Sequence, residues 1–147
     1  MRSRPPGPCA GQPLSVPPHG AEVLRYESSL TSVRDFTATR ALRAGLPPHR
    51  VEDLVIAIAE LAANTLAHTS GPGELTFWAT ADEVVCQVRD QGEISDPLAG
   101  RIRPAPDAPG GGRGLWLVHE VCDQVEIRTG QPGTTVRVHM RRGTCPA

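Results

Sequence analysis

The sequence contains no lysine; all 15 residues of its Lys+Arg total are arginines. That absence excludes the phosphate-binding Walker A loop, G-x-x-x-x-G-K-[ST], and equally the eukaryotic-type kinase fold, because each holds nucleotide phosphates with a lysine. Charge of one sign is also missing in bulk, since the formal net charge is -1. A general electrostatic case for binding nucleic acid therefore has no footing. No run approaches the roughly 18 apolar residues that a membrane helix needs, and no apolar leader segment follows the N-terminus. The expectation is a cytoplasmic protein with reduced thiols and no membrane or direct nucleic-acid partner. Its four cysteines, Cys9, Cys86, Cys122 and Cys145, form no C-x-x-C pair and have no histidine at ligand spacing, so no zinc site is expected. Cys86 and Cys122 fall on apolar periodic positions and read as small core residues.

What is present suits one domain. A chain of 147 residues with 39% hydrophobic and 21% charged residues is long enough for a real core and short for two. Residues 1–20, "MRSRPPGPCAGQPLSVPPHG", hold too much proline and glycine to offset their ordering entropy by burial, which reads as a flexible tail ahead of a domain over 21–147. "EVLRYESS" reads as an edge strand. "SLTSVRDFTATRALRAGL" then places Val33, Phe36, Thr37, Arg40 and Ala41 on one face of a helix ending near Gly45.

From Arg50 to Thr69, the spacing of Val51, Leu54, Val55, Ile58, Leu61, Ala62, Thr65 and Leu66 traces a wide apolar face at the helical period. "ELTFWATA" and "EVVCQVRD" read as strands joined at Ala81 and Asp82, and a Gly/Pro/Arg-rich loop runs from Gln91 to Arg113. "GLWLVHEVCD" has helical spacing at Leu115, Val118, Val121 and Cys122, and "QVEIRT", "GQPG" and "TTVRVHM" close the chain as a hairpin. This order predicts a two-layer α/β (α+β) sandwich, with helices on one face of a mixed, mostly antiparallel sheet.

Three stretches carry chemistry. On the second helix Glu60, Asn64 and His68 recur at i, i+4 and so share one side, with Asp53 and Ala57, away from the Leu54/Ile58/Leu61 face. Such a stripe is also what a solvated face looks like, except that the neighbouring alanines leave room for something to approach. In "VRDQGE" an apolar strand ends at Asp90 and turns at Gly92. A carboxylate there can accept a hydrogen bond from an exocyclic amine, although Asp-x-Gly is also the sequence of an ordinary turn. In "GGGRGLWLV", glycines lead into a helix whose unpaired N–H groups suit a phosphate; a hinge or plain helix start has the same appearance.

Taken in order, "ELAAN", "DQG" and "GGGRGLWLV" resemble the N-box and two glycine boxes of the GHKL ATPase superfamily. Within it the chain is most similar to the small anti-sigma factor serine kinases of the RsbW and SpoIIAB type. The resemblance runs from about Ala21 to Arg142 and includes the "GTT" that opens the last strand. It implies a Bergerat-type fold binding ATP and Mg²⁺ between the helix stripe and a lid over Glu93 to Arg113. By position Glu60 matches the general base that activates an acceptor hydroxyl, and Asn64 the residue that coordinates Mg²⁺. Asp90 matches the adenine reader, and Gly92 lets the base approach. Gly112 and Gly114, with Leu115 after them, match the phosphate-contacting box, and Thr134 matches the threonine supporting adenine recognition. His68 matches a histidine common after this N-box.

The implied function is a serine protein kinase that phosphorylates a STAS-type anti-anti-sigma protein and sequesters a sigma factor. An ATP-dependent docking switch without transferase activity is the alternative. The sequence departs from the superfamily in having Glu93 and Ile94 after Gly92 and prolines at 97, 104, 106 and 109 in the lid, which bears on closure. A histidine-kinase catalytic domain fits less well, because the first helix, Ser28 to Leu46, contains no phosphoacceptor histidine. Homodimers occur in the family, and Phe36 with Leu42 are candidate contributors.

Overall fold

The computed structural model describes residues 14–68, 72–90, 113–130 and 133–142, apart from the side chains of residues 67, 68, 113, 114 and 130. The order of elements is β1 (Glu22–Tyr26), α1 (Leu30–Arg43), α2 (Pro48–His68), β2 (Gly73–Ala79), β3 (Glu83–Asp90), α3 (Arg113–Val121), β4 (Gln124–Gly130) and β5 (Gly133–Arg141). The strands form one sheet in the order β1-β2-β3-β5-β4. Every pairing in it is antiparallel, which corrects the mixed sheet expected from sequence. The physical reason lies in the connections. β2 to β3 is a tight hairpin, and the excursion through α3 returns the chain at the sheet edge, in the direction of β3 but one strand away from it, so that β5 folds back antiparallel between the two.

Local chemistry sets the helix ends. Ser29 caps α1 by accepting from the Ser32 N–H, and the helix stops where Gly45 takes φ +90. There Gly45 N–H donates to Leu42 O and Leu46 N–H to Ala41 O, the reversed-turn closure that needs a left-handed residue and buries an apolar one after it. Leu46 fills that place at 2% exposure. α2 begins on Pro48, whose missing N–H costs nothing in a first turn. The β2–β3 turn is held by Thr80 Oγ1, which accepts from the N–H groups of Asp82 and Glu83.

The three helices cover one face of the sheet, with α2 packed against both α1 and α3. The core lies between these layers. It takes Val33, Phe36 and Ala41 from α1, Leu54, Ile58, Leu61 and Ala62 from α2, and Leu115 and Val118 from α3, over the alternate strand residues Leu75, Phe77, Val84, Cys86, Val88, Ile127, Val136, Val138 and Met140. Cys86 and Cys122 are both buried free thiols, as read from their positions. Two expectations change. Ala57, assigned to the polar stripe, is fully buried, because the 21-residue α2 is flanked on both sides and its apolar arc is wider than one face. Phe36, a candidate for a dimer contact, is 8% exposed with the Arg40 guanidinium 3.7 Å over its ring, while Leu42 stands 54% exposed.

The sheet face away from the helices carries Thr76 and Trp78 of β2, Val85, Gln87 and Arg89 of β3, and Arg137 and His139 of β5. Residues 14–20 were read with the flexible tail, and within them Ser15 touches this face, receiving hydrogen bonds from Arg137 to its Oγ and its carbonyl. Residues 1–13 lie outside the described residues.

Gly73 opens β2 opposite Tyr26, and a methyl group at Gly73 would overlap the Tyr26 ring. Gly73→Ala is expected to lose about 1–3 kcal/mol of stability, by the cost of overpacking. Urea titration of the two proteins measures it, and an unchanged midpoint would show that the ring moves freely.

Candidate functional site

Asp90 is the last residue of β3, and its strand parity, shared with Val84, Cys86 and Val88, turns its side chain towards the helices. Its register partner on β5 is Thr134, whose partner on β4 is Thr129. The two threonine hydroxyls are 3.1 Å apart, and Thr134 is 3% exposed. At the helix layer Thr65 is completely buried. Tyr26 Oη donates to Thr65 Oγ1 at 3.0 Å, and Thr65 Oγ1 donates to Asp90 Oδ2 at 3.0 Å. The Leu61 carbonyl is 3.3 Å from the same hydroxyl.

This relay has a fixed direction. A threonine hydroxyl has one proton, and with Tyr26 donating to its lone pair, that proton is left to the Asp90 carboxylate and the Leu61 carbonyl, of which the carboxylate is the nearer and the stronger acceptor. Burial pushes the Tyr26 phenol up to about 12, and the Asp90 charge acts the same way against the opposing Thr65 hydrogen bond. Tyr26 consequently remains a donor across ordinary pH. The carboxylate of Asp90 is held, half-buried, as an acceptor at the end of the sheet. Its surroundings suit the amine edge of a base, which must find an acceptor there.

α2 carries Glu60 and Asn64, both half-buried, and Asn64 immediately precedes Thr65. The bond that fixes Thr65 to the sheet therefore also fixes the helical phase of Asn64 and, one turn earlier, of Glu60. Asp53, nearer the start of the stripe, is occupied by an ion pair with Arg50 at 3.6 Å. His68 ends α2, and its side chain lies outside the described residues. Gly92, Gly112 and the lid over 93–112 lie outside them too. Gly114 is the second residue of α3, and Leu115 is buried at 6% exposure in the core, so only its backbone is placed to meet a ligand.

The far end of α3 is pinned. Arg50 donates through Nη1 to the Val121 carbonyl at 3.1 Å and through Nη2 to Asp123 Oδ2 at 2.7 Å, and Asp123 Oδ2 also accepts from the Arg141 N–H. A cation on the last carbonyls of a helix suits its dipole.

Thr65 and Tyr26 are the residues that sequence reasoning missed. Thr65 was counted with the apolar face because its spacing is that of Leu61 and Ala62, and Tyr26 read only as a strand residue. A lone hydroxyl within an otherwise aliphatic face was the available signal, since such a group needs a partner.

Among the described residues no group of three or more His, Cys, Asp or Glu side chains is placed to hold a metal ion. A divalent cation at this site would draw most of its ligands from phosphate oxygens and water, the usual state of Mg²⁺ beside nucleotides, with the Asn64 amide as the protein donor.

Thr65→Val keeps the shape but removes the acceptor of the buried Tyr26 hydroxyl, so a loss of about 1–3 kcal/mol is expected, by the cost of an unsatisfied buried polar group. Denaturant melts of Thr65→Val and of Thr65→Ser, which should restore most of it, provide the check. High pH is expected to weaken the fold as well. Burial pushes the Cys122 thiol up to about 12, pushes Cys86 further up, and raises Tyr26. Groups whose acidity is suppressed by folding stabilise the protein below their unfolded values, about 8.5 for thiols and 10 for phenol. That stability should be lost as pH climbs from about 9 towards 12. Melting temperatures across this range in reductant test it. Tyr26→Phe, with no phenol to ionise, should flatten the part above pH 10, and an identical slope would remove Tyr26 from the account.

With this geometry in place, comparison with known proteins becomes informative. The chain is similar to the serine-protein kinase RsbW of Halalkalibacterium halodurans, at 32% identity over 100 residues, covering 60% of this chain and 61% of that relative. It thus spans less than two thirds of the relative's length. A family model described as a histidine kinase-like ATPase domain matches residues 24–140, a span that takes in all three helices and part or all of every strand. The chain belongs to the histidine kinase-like ATPase family.

Proposed function

We propose that the protein binds Mg-ATP at the end of the sheet marked by Asp90, and that it is a serine protein kinase acting on a STAS-type anti-anti-sigma protein. When that partner is unavailable it binds and silences a sigma factor. The observation that carries the nucleotide part is the Tyr26–Thr65–Asp90 relay, which holds a carboxylate acceptor beside the helix bearing Glu60 and Asn64. Asp90 accepts from the adenine amine, with Thr134 in support from the paired strand. The backbone around Gly92, Gly112, Gly114 and Leu115 meets base and phosphates, and the N–H groups that open α3 favour their charge. Asn64 holds Mg²⁺, which supplies charge neutralisation on the phosphates when bound. Glu60, half-buried on the same helix, takes the proton of the acceptor serine as it attacks.

Support for the transfer step comes from the similarity to a serine-protein kinase, and for ATP binding from the family. A docking switch that binds ATP without transferring phosphate is favoured by one sequence feature, the proline-heavy lid, because a stiff lid closes less readily over an acceptor. Partner switching and a cytoplasmic location belong to this proposal. Among the described residues no helix is long and apolar enough to cross a membrane.

Binding and chemistry should separate on mutation. Glu60→Ala is expected to bind Mg-ATP nearly as well as the parent and to transfer phosphate at least about a hundredfold more slowly, the usual contribution of a general base. Asn64→Ala should weaken both, and Asp90→Asn should lose about 1–3 kcal/mol of ATP affinity by presenting a donor where an acceptor is required. Calorimetric titrations and single-turnover assays with the cognate partner measure these. A parental transfer rate in Glu60→Ala would sink the mechanism. A parent that binds ATP but transfers nothing would leave the docking switch.

A further inference from the structure

Arg137 sits on β5 between the core residues Val136 and Val138, so its side chain lies on the sheet face opposite the helices. It is nevertheless 4% exposed. Its Nε and Nη2 donate to Gln87 Oε1 at 3.0 and 2.7 Å. Its Nη1 donates to Ser15 Oγ at 2.9 Å, its Nη2 to the Ser15 carbonyl at 2.6 Å, and its Cζ stands 4.9 Å from the centre of the Trp78 ring. All of these partners are neutral.

The acid opposite Arg137 in register is Glu126, whose carboxylate is 2.7 Å from His139 Nε2 and 4.0 Å from Arg128. Arg137 makes no ion pair of its own among the described residues. Burial holds its pKa below the ordinary arginine range against the opposing Glu126 charge on the paired strand. A guanidinium whose direct hydrogen-bond partners are all neutral retains charge that Glu126, already shared with His139 and Arg128, compensates only in part, and an anion in direct contact would compensate further.

We propose that Ser15 is a phosphorylation site and that Arg137 is the receptor of the phosphoserine. Ser15 is exposed and lies in an irregular stretch, residues 14–18, that a kinase can grip in extended form. Its oxygen already touches the fork of a guanidinium, the side chain best suited to phosphate. Modification would put three acceptor oxygens and close to two negative charges against a cation whose direct partners are all neutral. In the transfer, the γ-phosphorus of ATP bonds to Ser15 Oγ as its bond to the β–γ bridging oxygen breaks. ADP departs, and the hydroxyl proton passes to a base of the acting kinase. That kinase is a different molecule, because Ser15 and the Asp90 end are on opposite faces of the sheet. The result is a locked N-terminal strap, independent of whether this chain is itself a kinase.

The test uses the full chain with phosphoserine genetically encoded at position 15, in the parent and in Arg137→Lys and Arg137→Gln. Phosphoserine is expected to raise Tm by about 2–4 °C in the parent, by less in Arg137→Lys and not in Arg137→Gln. Should the Arg137 variants fail to fold, phosphorus NMR of the parent decides. There the phosphate should titrate below its ordinary value of about 6 when folded and return to it in urea. A Tm at or below that of the unmodified chain, or a phosphate with the same titration folded and unfolded, would overturn Arg137 as receptor. Phosphopeptide mass spectrometry of the chain recovered from its own cells should find Ser15 modified. An unmodified Ser15 in both growing and stressed cells would overturn the site.

Discussion

One buried hydroxyl joins the two layers of this protein at the end where its chemistry is expected. Thr65 touches β1 through Tyr26 and β3 through Asp90, and it is the polar group of an otherwise aliphatic face. Hydrophobic contact sets which arc of α2 faces the sheet, but it is not directional within that arc. The hydroxyl adds direction. Its oxygen accepts from Tyr26 and its proton is shared between Asp90 and the Leu61 carbonyl, so the pair of contacts across the layers favours one rotation of the helix. Glu60 and Asn64 inherit their positions from that choice.

Asp90 owes its character to the same arrangement. A carboxylate at a strand end is ordinary, whereas one engaged on Oδ2 by a buried donor is held in place. Tyr26 protects the direction of the relay, since burial keeps its phenol protonated well above neutral pH. Gly73 makes room for the Tyr26 ring, so a glycine at the start of β2 supports an acceptor at the end of β3. Binding and packing are coupled here through contacts that each have a single arrangement.

The sheet also separates two polar regions while linking them. β3 carries Gln87 and Asp90 on opposite faces, and β5 carries Arg137 and Thr134 likewise. The helix-facing end holds the Tyr26–Thr65–Asp90 relay, where nucleotide binding is proposed. The outer face holds a buried cation with the strap residue Ser15 across it. α3, which follows the second glycine box, is tied at its far end by Arg50 and Asp123.

Periodicity in the sequence determined the helices, the strands and the buried faces, because a residue's side of an element follows from its spacing alone. Val33, Phe36 and Ala41, Leu54, Ile58 and Leu61, and Val118 with Cys122 all lie where that spacing put them. The ordered N-box and glycine boxes determined the family, and Glu60, Asn64, Asp90 and Thr134 could be singled out by position. Spacing along one chain carries no information on which elements become neighbours, so pairing was left to tertiary structure. That structure made every strand pair antiparallel, buried Ala57 between two flanking helices, and set Ser15 against Arg137 across 122 residues. It also gave Thr65 its partners. A threonine at an apolar position is a small core residue until a phenol from residue 26 and a carboxylate from residue 90 arrive beside it, and only the folded chain brings them there.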